Sequence, residues 1–139
     1  MDKATQTVQA ILRQQQFEQK VVTALRAVSA MENADATMDE DWFAQTVRGF
    51  INVVLEAAQG TEKRTRDMFF ATIVPGILAE GPSPALLLRS STTFLNLLGS
   101  QLSVEAPASD QPEVTKWMAR FAGSYIEDLY QACLVAQEP

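Results

Sequence analysis

The sequence predicts an all-α domain, either a globin-like stack or an irregular bundle of roughly five or six helices around one core. Long segments without glycine or proline are rich in Ala, Leu, Gln and Glu, which favour helix. Apolar residues recur in these segments at helical spacing, and prolines and glycines cluster between them. The length of 139 residues, with 47% hydrophobic and 20% charged residues, is ordinary for one globular domain spanning residues 1–139.

The first helical segment runs from Lys3 to about Met31. It carries an early apolar patch of Val8, Ile11 and Leu12 and a later patch of Val21, Leu25, Val28 and Met31. The apolar phase slips over residues 13–16, which predicts either a simple bend or an arm, residues 1–16, that extends beyond the core. Because the patches are out of phase, one can serve the core while Val8, Ile11 and Leu12 face a second copy. We therefore expect a symmetric homodimer.

A strongly amphipathic pattern predicts a second helix after the polar loop "ENADATMDED". Its apolar residues are Trp42, Phe43, Val47, Phe50, Ile51, Val54, Leu55 and Ala58. Asp39, Glu40 and Asp41 complement the positive end of the helix dipole, and Gly60 ends the helix. Three consecutive carboxylates point in diverging directions, so dipole compensation explains them better than a metal site does.

A third helix is expected to begin after Thr61 as N-cap and to bury Phe69, Phe70, Ile73 and Val74. Pro75 removes one backbone donor and crowds the preceding turn, so the helix should kink or end there.

The stretch "EGPSP" then predicts a rigid corner between two core helices. Gly81 suits the left-handed position past a helix end, and Ser83 suits the N-cap of the next helix. Pro84 falls at the first helical position, where its missing N–H costs nothing.

Two further helices complete the predicted core. The first carries Leu87, Leu88, Phe94, Leu95, Leu98 and Leu102 before the chain breaks between Pro107 and Pro112. The last helix opens at Asp110 or Pro112 and keeps one face apolar with Val114, Trp117, Met118, Phe121, Tyr125, Leu129, Ala132, Cys133 and Ala136.

The residue inventory argues against catalysis. There is no histidine, which is the commonest catalytic base, metal ligand and proximal haem ligand. The single Cys133 allows no internal disulfide, as is typical of a reducing cytoplasm, and its apolar phase predicts a small buried thiol. No phosphate-binding glycine loop or serine elbow occurs. We expect a cytoplasmic protein with no catalytic, cofactor or metal site.

Charge and hydropathy bear on partners. A net charge of -6 repels phosphate backbones, so nucleic acid is not an expected partner. The apolar stretch from Met68 to Ser91 is cut by Glu80 and by residues 81–84, which predicts no membrane span.

Five large apolar side chains raise the question of a ligand. These are Phe50, Met68, Phe69, Phe94 and Phe121, which either line a cavity for an apolar small molecule or simply fill the core. The sequence predicts either a ligand cavity or a filled core at these residues.

The order of "VVTALRAV", "DWFAQTVRGFINVVLEA", the stretch from Thr65 to Leu102 and "VTKWMARFAGSYIEDLYQA" resembles the N-terminal sensor domain of RsbR-type stressosome proteins. Shared features are a helix-terminating Gly81 followed by Ser83, and the spacing of Trp117, Phe121 and Tyr125. The resemblance implies a globin-like, non-haem, dimeric sensor of stress-response signalling. It also implies protein partners in a signalling assembly, and an output STAS domain that meets a kinase and follows the last helix.

The alternative is a helical effector-binding domain with an apolar pocket, similar to the ligand half of one-component transcription regulators. A long internal cavity would favour that alternative. A packed core with a large apolar surface on the first and last helices would favour the sensor or partner-binding module.

Overall fold

The computed structural model describes residues 3–31, 40–59, 67–79 and 83–136. All regular structure in these ranges is helical, which confirms the all-α prediction. The α-helices are α1 (Lys3–Leu12), α2 (Gln15–Met31), α3 (Glu40–Gln59), α4 (Val74–Ala79), α5 (Pro84–Glu105) and α6 (Gln111–Ala136). They pack as an irregular bundle, and the finer description as globin-like stays a prediction.

The first segment is two helices, because α1 ends at Leu12 and α2 begins at Gln15. The Gln14 N–H donates to the carbonyl of Ile11 at 3.0 Å, a tight turn that resets the helical phase. Both apolar patches therefore face one core, and α1 packs against α3, α5 and α6. The predicted bend is correct, and the predicted arm over residues 1–16 is wrong for the part that the structure describes.

The second predicted helix is α3, and four of the residues that its periodicity indicated are buried, namely Val47, Phe50, Ile51 and Val54. Val47, Phe50 and Val54 are fully enclosed in the core. The chain enters α3 at Glu40, within the expected acidic run. Asp39, Gly60 and Thr61, which were expected at helix ends, lie outside the described residues.

The helix before the corner contains a π-helical turn. Residues 67–79, called helix 67–79 below, are π-helical over Phe69–Ile73 and α-helical over α4. The Val74 N–H donates to the carbonyl of Phe69, five residues back, and a wider turn gives the ring of Pro75 more room. The helix continues past Pro75 to Ala79, so the proline does not end it.

This wider turn also changes which side chains are buried. Phe69 and Val74, five residues apart, are both in the core, whereas Ile73 is 41% exposed. The prediction that Ile73 packs in the core is therefore wrong. An extra residue in one turn rotates the following side chains by about 100° relative to a regular α-helix.

The predicted N-cap at the start of α5 is present. The Ser83 backbone is extended, with φ −72° and ψ 155°, and its hydroxyl oxygen accepts a hydrogen bond from the Leu86 N–H at 3.0 Å. Pro84 occupies the first turn, as expected. Gly81, predicted to have a positive φ, lies outside the described residues.

A short connection joins the two longest helices. The chain leaves α5 at Ala106, passes through a 3-10 turn at Ala108–Asp110 and enters α6 directly. The break predicted between Pro107 and Pro112 is therefore confirmed. The resulting pairing of α5 with α6 forms one side of the core.

Candidate functional site

Four of the five residues predicted to line a ligand cavity form part of a continuous aromatic core. Phe50 lies with its ring centroid 5.4 Å from that of Phe94 and 5.8 Å from that of Phe69. Phe121 lies 5.7 Å from Tyr125, whose ring is also 6.2 Å from Phe50. These are the separations of directly packed rings. The rings fill the core against one another, which favours the packing interpretation over a cavity at this place.

The fifth candidate is placed elsewhere. Met68 is 54% exposed at the start of helix 67–79, so its side chain does not lie in the aromatic core. Its assignment to the same cavity as Phe50, Phe69, Phe94 and Phe121 is therefore wrong.

The residues predicted to form a dimer interface are also in the core. Val8 and Ile11 have no exposed surface, and Leu12 is 4% exposed within the single chain. They offer no apolar patch to a second copy, because the break after α1 turns them inward. The argument for a dimer built on these three residues fails, and homodimerisation itself stays a prediction.

An exposed apolar surface instead lies on the last helix. Tyr130, Leu134 and Val135, called the α6 strip below, are all exposed, and Val135 is 65% exposed. The opposite face of α6 buries Tyr125, Leu129 and Cys133 in the core. The outer side of α6 over its final turns therefore carries these apolar side chains together with the exposed polar residues Glu127 and Gln131.

A groove lies beside this strip, between helix 67–79 and α6. Its volume is about 700 Å³, within the range of small-molecule and side-chain pockets. It is lined by Asp67, Phe70, Ala71, Pro75, Asp128, Gln131, Ala132 and Val135. Its walls are mainly apolar and include small residues, so a partner could approach the helix backbones closely.

The proline removes one backbone hydrogen-bond donor near this groove. Pro75 has no N–H to donate to the carbonyl of Phe70 in the π repeat, or to that of Ala71 in the α repeat. Phe70, Ala71 and Pro75 all line the groove.

Carboxylates lie among the described residues at the groove. The charged residues of helix 67–79 and of α6 beyond Arg120 are Asp67, Glu127 and Asp128, and neither stretch contains Lys or Arg. Asp67 and Glu127 are exposed. Glu127 precedes Gln131, a groove residue, by four positions and therefore lies on the same face of α6.

Cys133 lies on the core side of α6, behind the strip. Its thiol is buried, and the loss of solvation raises the pKa of the thiol above its ordinary value of 9.0. It is therefore protonated and weakly nucleophilic near neutral pH, as the apolar phase of its helix predicted.

Within the described ranges, no group of three or more His, Cys, Asp or Glu side chains is arranged to hold a metal ion. None of the helices described is both long and apolar enough to span a bilayer.

Comparisons with known proteins give no assignment: no family model, curated protein or solved structure matches this chain.

The α6 strip was not among the residues predicted for function. Its signal was nevertheless in the sequence, because Leu134 and Val135 directly follow Cys133 and fall outside the phase set by Phe121, Tyr125 and Leu129. Apolar residues off the core phase of an otherwise regular amphipathic helix indicate an exposed apolar surface. The groove carried no comparable signal, since it depends on where helix 67–79 packs.

Proposed function

We propose that this chain is a non-catalytic regulatory module that binds a protein partner through the α6 strip and the adjacent groove. The observation that carries the proposal is the clustering of exposed Tyr130, Leu134 and Val135 on a helix whose other face closes the core. Contiguous exposed apolar surface with a polar border is typical of interaction sites. The arrangement expected of a partner-binding module was a packed core with an apolar surface on the first and last helices. The described residues have the packed core and the exposed apolar residues of the last helix, whereas Val8, Ile11 and Leu12 of the first helix are buried.

The resemblance to the sensor domain of RsbR-type stressosome proteins gives this proposal a biological form. In that form the module senses stress in the cytoplasm and passes the signal along α6 to an output domain. The α6 strip suits such a role, since a packing change on one helix face can be transmitted along a rigid helix. Sequencing the reading frame beyond Pro139 tests the resemblance, because an in-frame STAS domain is expected and its absence would count against this form.

Site-specific photo-crosslinking in the source cells tests the partner-binding role. A photoreactive residue at Leu134 should crosslink to one protein, whereas the same residue at Val104 should not. Val104 is a matched control because it is an exposed apolar side chain, 78% accessible, near the end of α5. Absence of any protein crosslink at both Tyr130 and Leu134, in a chain that is folded, would contradict the proposal.

The groove supports a second candidate, an effector-binding domain for an apolar small molecule. A volume of about 700 Å³ is sufficient for a drug-sized ligand. Native mass spectrometry of the chain purified from its source would show a co-purifying small molecule if this candidate is correct. Loss of that mass in an Ala132→Trp variant, which fills the groove, would place the ligand there.

A further inference from the structure

We propose that helix 67–79 has a second register, in which its π turn becomes α-helical and Phe70 takes the place of Phe69 in the core. This exchange opens a subsite for one aromatic ring beside the groove. The inference goes beyond the proposed partner binding, since it concerns how one wall of the groove moves.

Two adjacent phenylalanines make the exchange possible. Phe69 is buried, with its ring centroid 5.8 Å from that of Phe50 and 6.1 Å from that of Tyr125. Phe70 is half-buried, lines the groove and has its ring centroid 5.3 Å from that of Tyr125. Both rings therefore reach Tyr125, and a rotation of the helix by one position replaces one phenyl ring in the core by another.

The backbone hydrogen bonds need little rearrangement. In the π turn the Val74 N–H donates to the carbonyl of Phe69, and in the α register the same N–H donates to the carbonyl of Phe70. Pro75 has no N–H, so the shift breaks no backbone hydrogen bond at that position.

The part of the helix that rotates is the part before α4. Ile77 of α4 is buried, and rotation of α4 by one position would put Gly76 in its place. Gly76 has no side chain to fill that space, whereas Phe70 supplies the same ring as Phe69. Residues 67–73 therefore turn by about 100° while α4 stays in place.

The π register is the more stable one for two reasons. It gives the ring of Pro75 room that a regular α turn does not. It also keeps the rings of Phe69 and Phe70 at least half-buried, whereas the α register moves Phe69 to the present position of Met68, which is 54% exposed. A ligand that binds only the α register shifts the equilibrium toward it.

The shift leaves a space about the size of one phenyl ring. Ala71 moves to the position of Phe70, and its methyl group fills only part of the space that the ring occupied. This space borders Tyr125 and opens into the groove, since Phe70 packs on the first and lines the second. An uncharged aromatic ring has the matching size and packs well on Tyr125, so the ligand class is a molecule that carries such a ring.

Urea unfolding of alanine variants tests the exchange. Phe69→Ala should lower the unfolding midpoint less than Phe50→Ala does, since Phe70 can enter the core in its place. Phe69→Ala combined with Phe70→Ala should lower the midpoint by more than the sum of the two single shifts, because no ring then remains to fill the core. A double shift equal to or smaller than the sum would overturn the inference. Loss of the direct contact between the two rings, at 5.3 Å, gives a smaller double shift, so the sign separates the two explanations.

Fluorine NMR reads the register directly. 4-Fluorophenylalanine at position 70 should report two environments, a major one at the groove and a minor one in the core. Pro75→Ala should raise the minor population at least about tenfold, since proline disfavours a regular α-helix by more than that factor. Gly76→Ala is the matched control, because a methyl group there meets no atom within 4 Å, and it should leave the populations unchanged.

Benzene is the probe for the subsite. It should raise the minor population in the unaltered chain. Ala71→Phe should populate the α register without benzene and remove the response to it, because the new side chain fills the space. A single unchanged environment at position 70 in Pro75→Ala, or a benzene response that Ala71→Phe retains, would overturn the inference. These measurements use no protein partner, so their failure leaves the proposed function standing, and the absence of a crosslinked partner leaves this inference standing.

Discussion

Gln111, the first residue of α6, caps the end of α5 through its side chain. Its Nε2 donates hydrogen bonds to the carbonyl oxygens of Ser103, at 3.1 Å, and of Ala106, at 2.9 Å. The last carbonyls of a helix have no intrahelical donors, so a side chain from the next helix satisfies them here. This contact ties the two longest helices together across their short connection.

Replacing Gln111 by Glu should destabilise the fold by about 1 kcal/mol. The carboxylate keeps the shape of the amide but cannot donate to the carbonyls of Ser103 and Ala106. Urea unfolding measures the effect. Gln111→Ala should cost a similar amount, whereas Gln19→Glu at an exposed position of α2 should change stability by less than about 0.5 kcal/mol. If Gln111→Glu unfolds at the same urea concentration as the unaltered chain, the cap contributes nothing to the stability of the fold.

Ser83→Ala should lower stability by about 1 kcal/mol, because the Leu86 N–H loses the hydroxyl that accepts its hydrogen bond. Ser100→Ala is the matched control, since Ser100 is exposed within the same helix. The thermal midpoint should fall for the first variant and not for the second. Equal midpoints would show that the stretch around Ser83 is a loose connection and not a rigid corner.

Phe50→Ala should destabilise the fold by about 3–5 kcal/mol, the usual cost of removing a fully buried ring. Its ring packs on Phe69, Phe94 and Tyr125, which cannot all collapse into the space left behind. Met68→Ala, at an exposed position, should change stability by less than about 0.5 kcal/mol. Urea melts compare the two. A small effect of Phe50→Ala would indicate a cavity already present beside the ring.

The buried thiol of Cys133 predicts a loss of stability in alkaline solution. Burial raises the pKa of this thiol in the folded chain above the ordinary 9.0, so above that pH the unfolded chain releases the proton more readily. The contribution is fully present below pH 9.0 and is lost as pH rises through the raised pKa of the folded chain. As pH rises from below 9.0 to above the raised pKa of the thiol, the unfolding midpoint should fall less steeply in Cys133→Ala than in the unaltered chain. Equal slopes would show that the thiol is not the group responsible.

The helices themselves could largely be predicted from the sequence. The period of Phe121, Tyr125 and Leu129 defines the buried face of α6, and Ser83 with Pro84 marks the start of α5. These features depend on residues close together in the chain, so local propensity and spacing are sufficient to indicate them.

Whether certain apolar side chains of α1 and of helix 67–79 point into the core or to the surface could not be predicted in this way. Val8, Ile11 and Leu12 are out of phase with α2 only if the first segment is one helix, and the break at residues 13–14 removes that conflict. Ile73 likewise fits an α-helical core face, but the π turn before Pro75 moves it to the surface. Both errors arise because one irregular turn rotates all following side chains.

Helical class, the buried phase of each regular segment and the serine cap are properties of short stretches, and the amino-acid sequence specifies them directly. The groove beside Val135 exists only because helix 67–79 packs against α6 from a distant part of the chain. The aromatic core likewise requires rings from five helical segments to meet, those of Phe17, Phe50, Phe69, Phe94 and Tyr125. Such contacts depend on the free energy of packing the whole chain, in which no single segment specifies its partner.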